Sequence, residues 1–190
     1  MRFALTEEAI LESGSDADLV AGARGGYPAS FETLYRRHRD FVARTAFLLV
    51  RDRHLAQDVA QEAFLIGWRD LGRLRDPGHF RPWVTGIAVN LSRRRAGGIR
   101  LLPGRSTVPL EGTREAAATE RDADLNLSVR EAVAALPSRM REAVVLRFYG
   151  GFSEAEMSTA LGIPAGTVKS RLARAKERLT GALRDVVEEA

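Results

Sequence analysis

The chain has 190 residues, a formal net charge of +4, a pI near 10.1 and 45% hydrophobic residues, enough for one large or two small packed domains. It has no cysteine, which excludes disulfides, thiolate metal sites and a thiol redox sensor. No apolar run approaches the ~20 residues that a membrane-spanning helix needs.

Only Lys169 and Lys176 are lysines among the 29 Lys and Arg residues. Arginine stays charged and forks onto phosphate or carboxylate, which suits nucleic-acid contact. A GC-rich genome accounts for the same bias, and the abundance of Ala and Gly gives that explanation more weight. His38, His54 and His79 are isolated and read as surface or interface histidines, with no metal site expected. Residues 1–15 carry Glu7, Glu8 and Glu12 and lack the basic start and apolar core of a secretory signal. The expectation is a soluble, intracellular, cytoplasmic protein without membrane insertion.

Helical periodicity dominates, and no alternating strand pattern flanked by hairpin turns is present. After the short acidic segment 1–15, a helix begins at Asp16 and ends at Gly25-Gly26. A second runs from Pro28 to Val50, with Phe31, Leu34, Tyr35, Phe41, Val42, Ala46 and Leu49 on its apolar side. A third covers 53–71. Residues 72–81 form a loop around Pro77-Gly78, and a fourth helix runs from Pro82 to about Arg95, stopped by Gly97-Gly98. Residues 97–123 hold several Gly and Pro without a sustained period and read as a flexible linker. Helical pattern resumes over 124–136 and, after Pro137, over 138–149. The expected architecture is all-α: a helical domain over 16–96, the linker 97–123, and a small helical domain over 124–190.

The segment 151–179, GFSEAEMSTALGIPAGTVKSRLARAKERL, reads as two short helices joined by a tight turn at Gly162-Ile163-Pro164. On the second helix Val168, Leu172, Ala175 and Leu179 share a narrow inward face. Thr167, Ser170, Ala173 and Arg174 lie opposite, flanked by Lys169 and Arg171. Small residues beside long basic ones let a backbone approach DNA while the arms reach phosphates and base edges. A solvated basic face on an ordinary bundle helix is the bland alternative, and the preceding helix and turn weigh against it. This is a helix-turn-helix, whose second helix is the one that enters a major groove.

Residues 58–68, DVAQEAFLIGW, and 80–95, FRPWVTGIAVNLSRRR, resemble region 2 of the extracytoplasmic-function (ECF) sigma factors of bacterial RNA polymerase. Residues 133–149, VAALPSRMREAVVLRFY, with the helix-turn-helix, resemble their region 4. The resemblance covers about 16–96 and 124–183. It implies a sigma factor that binds core RNA polymerase, recognises −35 and −10 promoter elements and assists promoter melting. It implies no enzyme activity and no cofactor.

Carried onto this chain, the resemblance gives Asp58, Gln61, Glu62 and Trp68 to the surface that meets the β′ clamp, with Phe64 expected in the core. It gives Arg75, His79, Phe80, Asn90, Arg93 and Arg94 to the −10 element, and Thr167, Lys169, Ser170, Arg171 and Arg174 to the −35 element. A local cap or helix-surface amide is the lesser alternative for Asn90. Gly86 and Val89 stand where many relatives carry bulkier or charged residues. Val145, Leu146 and Phe148 are either a β-flap contact or plain core. Glu154 and Glu156 suit the N-terminal end of a helix dipole. With no extra promoter-binding or regulatory domain in view, control by an anti-sigma factor is expected. A stand-alone dimeric regulator would carry a receiver or ligand domain, which is not visible. No P-loop, GxGxxG, HExxH or Ser-His-Asp pattern supports an enzyme.

Overall fold

The computed structural model describes residues 14–98 and 120–188. Most of the expected linker, and the segment 1–13, lie outside these residues. Every regular element described is helical, in the order α1 (Asp16–Arg24), α2 (Pro28–Val50), α3 (Arg53–Arg69), α4 (Phe80–Gly98), α5 (Glu120–Ala135), α6 (Ser138–Val144), α7 (Glu154–Leu161) and α8 (Ala165–Glu188). Two 3₁₀ turns, Leu71–Arg73 and Pro77–His79, join α3 to α4, and a π-helical turn, Val145–Tyr149, extends α6. The expected all-α fold of two helical domains is what the chain adopts. Two starts move: α4 begins at Phe80, before Pro82, and α5 begins at Glu120, before Asp124.

The helix starts follow from local chemistry. Ser15 caps α1 in a reciprocal box with Asp18: the Ser15 backbone N–H donates to Asp18 Oδ2 at 3.0 Å, and Asp18 N–H donates to Ser15 Oγ at 3.3 Å. Pro28 sits in the first turn of α2, where its missing N–H costs nothing. Asp52 caps α3 by accepting from Leu55 N–H at 2.9 Å. Arg51, between α2 and α3, takes a left-handed conformation at φ 59°.

Helices α1–α4 enclose one core of Leu19, Val20, Leu34, Val42, Val59, Ala63, Phe64, Phe80, Val84, Ala88 and Leu91. Its centre is aromatic: Phe31 meets Phe64 and Phe80 edge-on at 6.5 and 5.9 Å, and Tyr35 meets Phe64 at 5.0 Å. Polar ties close the ends. Asp16 Oδ2 bonds His38 Nε2 at 2.7 Å, and Arg37 Nη1 donates to Asp16 Oδ1 at 2.8 Å. Burial raises the Asp16 carboxyl, but these two partners outweigh it and hold the group below its ordinary value. Arg24 donates to the carbonyls of Leu71 and Leu74 and so anchors the turn after α3.

A second core joins the two domains. Val89 of α4 packs with Ala143, Leu146, Phe152, Met157, Ala160, Leu161 and Val168, with Phe41 and Leu49 of α2 against them. Burying an apolar side chain of this size contributes about 1.5–3 kcal/mol relative to exposure. A third, smaller cluster of Leu136, Val144 and Ala175 fixes α5 and α6 on α8.

Candidate nucleic-acid interface

The helix-turn-helix is built as the spacing predicts. Ser153 caps α7 in a second box: Glu156 Oε2 accepts from the Ser153 backbone N–H at 2.8 Å, and Glu156 N–H donates to Ser153 Oγ at 3.2 Å. Burial raises the Glu156 carboxyl, while the Ser153 bonds and the nearby Arg81 and His79 lower it further, for a net downward shift. Gly162 ends α7 at φ 64°, a left-handed conformation that glycine takes without a Cβ penalty. Ser158 Oγ donates to the Ile163 carbonyl at 2.6 Å and pins the turn.

On α8 Val168 and Ala175 are fully buried, while Lys169, Ser170, Ala173 and Arg174 are exposed. Thr167 and Arg171 are half-buried. Four of the five residues expected at a −35 element therefore lie on or beside one open face of the helix. Arg171 differs. Burial lowers its guanidinium pKa, Glu142 acts against that, and Arg139 and Arg93 add to the lowering.

The residues expected at a −10 element divide. Arg75 and Arg94 are exposed. His79 is exposed but bonded through Nδ1 to Asp76 Oδ2 at 2.8 Å, and Asp76 also accepts from Gly78 N–H at 3.0 Å. Asn90 Oδ1 accepts from Arg93 Nη1 at 3.2 Å. Arg93 sends its fork elsewhere: Nε donates to Glu142 Oε1 at 3.0 Å and Nη2 to Glu142 Oε2 at 2.7 Å. The Glu142 side chain is only 4% exposed. That bond raises the Arg93 pKa against the lowering effect of its partial burial. Phe80 is corrected outright. Its ring is completely buried between Phe31, Phe64 and Trp83, so it packs the first domain and has no face to offer a base.

On α3 Asp58, Gln61 and Trp68 are exposed, and Glu62 is half-buried against Arg95. The Trp68 ring leans on Phe31 at 4.8 Å, and Phe64 is in the core as expected. Leu65, on the same face, is 64% exposed. The sequence reading passed over it because an apolar residue in an apolar helix reads as core. Val145 and Leu146 are core residues, whereas Phe148 is 77% exposed. Glu142 also went unread: a lone acid on a basic helix carries no signal of a partner 49 residues away.

Two family models match the chain: sigma-70 region 2 over residues 34–97 and sigma-70 region 4 over residues 126–179. The chain is 35% identical over 165 residues to the ECF RNA polymerase sigma factor SigM of Mycobacterium tuberculosis, covering 87% of this chain and 83% of that protein. It is 29% identical over 193 residues to the RNA polymerase sigma-H factor of Pseudomonas aeruginosa, covering 95% and 100%. Among solved structures it resembles CnrH in complex with the cytosolic domain of CnrY, at TM-score 0.66 and 26% identity over 90% of this chain and 97% of that one. The sigma factor RpoE in complex with the anti-sigma factor NepR from Bartonella quintana shares the fold at TM-score 0.63 and 21% identity, over 81% and 96%.

Proposed function

The chain belongs to the ECF sigma factors of bacterial RNA polymerase, non-catalytic factors for transcription initiation, and from that premise we propose how its two domains divide the work. Residues 16–96 form the unit that binds core polymerase and the −10 element. Residues 124–190 form the unit that reads the −35 element as duplex, with 97–123 as the connection. The observation that carries this reading is the open face of α8, where Lys169, Ser170 and Arg174 stand clear of the buried row of Val168 and Ala175.

Each surface suits its task. Long basic arms on α8 neutralise phosphates, and the small Ser170 and Ala173 let the helix axis approach base edges. On α3, carboxylates and an amide surround the apolar Leu65 and Trp68, a polar rim around anchors such as protein interfaces use. The partner there is the β′ clamp of core polymerase, with the β flap meeting the second domain. The exposed Phe148 is the aromatic available for that second contact. Around the turns 71–79 and along α4, Arg75, His79, Asn90, Arg93 and Arg94 are the polar groups for holding an unpaired strand. An anti-sigma factor that covers both domains is the expected regulator, and the cytoplasm the expected compartment. Among the described residues no helix is long and apolar enough to cross a membrane.

Co-purification with core polymerase, followed by promoter-dependent initiation from the reconstituted enzyme, tests the assignment. Asp58→Arg combined with Glu62→Arg is expected to abolish assembly while leaving helical circular dichroism intact. The two carboxylates are one turn apart, and their reversal opposes a basic partner. The surface Glu62–Arg95 pair lost with them is worth about 0–1 kcal/mol. Normal assembly by the double variant would move the polymerase surface elsewhere.

A further inference from the structure

Arg24, the last residue of α1, reaches across 47 residues of sequence to the turn that follows α3. Its Nε and Nη2 donate to the Leu71 carbonyl at 3.3 and 2.9 Å, and Nη2 also donates to the Leu74 carbonyl. The fork therefore holds the 3₁₀ turn Leu71–Arg73 at its first residue and at the residue that caps it. Inside the turn, Leu74 N–H donates to the same Leu71 carbonyl at 3.2 Å. A planar guanidinium bridges two carbonyls with a fixed geometry, which the point charge of a lysine does not reproduce.

Both ends of this brace are fixed. Leu19 and Val20 of α1 are fully buried, and Asp16 ties the start of the helix to Arg37 and His38 of α2. Leu71 and Leu74 are themselves buried in the first core. Their carbonyls and their side chains are thus both engaged.

Arg75 follows directly and is exposed. On its other side Asp76 folds the next turn, accepting from Gly78 N–H at 3.0 Å and bonding His79 Nδ1 at 2.8 Å. Helix α1 packs against that turn as well. Arg75 and His79, the two polar residues given to the −10 element in this stretch, are therefore carried on backbone pinned by Arg24 before them and by Asp76 between them. Binding loops work from a rigid scaffold, and a group already in place avoids the cost of being ordered on binding.

We propose that Arg24 is a positioning residue for capture of the unpaired −10 strand. It holds the turn Leu71–Leu74 so that Arg75 and His79 meet the strand in a fixed arrangement. The proposal rests on the −10 reading of this stretch given above. Arg24 acts through Arg75 and His79, and its fork, not its charge, carries the role.

The test is a double-mutant cycle in reconstituted holoenzyme, reading the affinity for a −10 non-template single strand. Arg24→Gln and Arg24→Lys are each expected to weaken strand binding about three- to tenfold, the scale of a lost hydrogen bond. Binding of −35 duplex and assembly with core polymerase should keep parental values, which a general loss of fold would not allow. Circular dichroism checks both variants, and Arg24→Lys, which keeps the stem and the charge, carries the test if the glutamine variant loses its helices. On the Arg75→Ala, His79→Ala background, Arg24→Gln should change strand affinity by less than about twofold, because nothing is left to position. Parental affinity in Arg24→Gln, or full additivity in the cycle, would overturn the positioning role. Affinity restored by Arg24→Lys would overturn it too, making Arg24 a phosphate contact that needs only charge. Parental affinity in the Arg75→Ala, His79→Ala pair would instead overturn the −10 reading on which the proposal rests.

Discussion

The two candidate DNA-reading surfaces are prepared in opposite ways. On α8 Lys169, Ala173 and Arg174 are exposed, on a helix positioned by a capped α7 and the left-handed Gly162. Around the turns and α4, side chains of the same chemistry are engaged: His79 with Asp76, Asn90 with Arg93, and Arg93 with Glu142. On the proposed division of labour, the difference suits the two substrates. A duplex has a fixed groove, which a rigid helix can meet ready-made. An unpaired strand exists only after melting, and its contacts can be held by the protein's own groups until then.

The sharpest way to break this comparison is Phe80→Ala. If the ring is packing alone, its loss should destabilise the fold by about 3–5 kcal/mol, read as a lower urea midpoint. A variant of parental stability that fails on the −10 element would return Phe80 to the DNA surface.

Next in size is the free face. Lys169→Ala and Arg174→Ala are expected to weaken −35 duplex binding by about 1–3 kcal/mol for each lost base contact. Where a lost contact is to phosphate, the salt dependence should flatten. Assembly with core polymerase should not change. Unaltered duplex affinity in both variants would remove α8 as the reading helix.

The smallest effects belong to the engaged surface. Asn90→Ala, and the pair Arg75→Ala with His79→Ala, should impair open-complex formation more than closed-complex binding. A lost hydrogen bond contributes about 0.5–1.5 kcal/mol. A template already unpaired across the −10 element should partly restore initiation. Holoenzyme carrying these variants that binds the −10 non-template strand as tightly as the parent would place that contact elsewhere.

What the sequence made legible were features written within a few residues. Gly25-Gly26, Pro28 and the Gly162-Ile163-Pro164 turn announce helix ends through their own backbone chemistry, and the observed boundaries follow them. The inward row of α8 was readable from periodicity for the same reason. Long-range pairing was not readable. Phe80 stands among Arg75, His79 and Arg81, so composition suggests a stacking platform, and only the converging α2 and α3 turn it into core. Arg93 reads as a phosphate contact until the fold brings Glu142 beneath it. Gly86 and Val89 stood out as departures from their relatives, and their meaning appears only when α7 lies across α4.

The π-helical turn at Val145–Tyr149 acts as a phase shifter. Its defining bond runs from Gly150 N–H to the Val145 carbonyl at 2.9 Å, five residues back instead of four. One extra residue in the winding offsets everything downstream by about 100° relative to an uninterrupted α-helix. Of two adjacent aromatic rings in this turn, Tyr149 stacks on Phe41 and Phe148 is exposed to solvent. The handover from α6 to the helix-turn-helix thus passes through a change of winding in the backbone, with both rings carried on the turn itself.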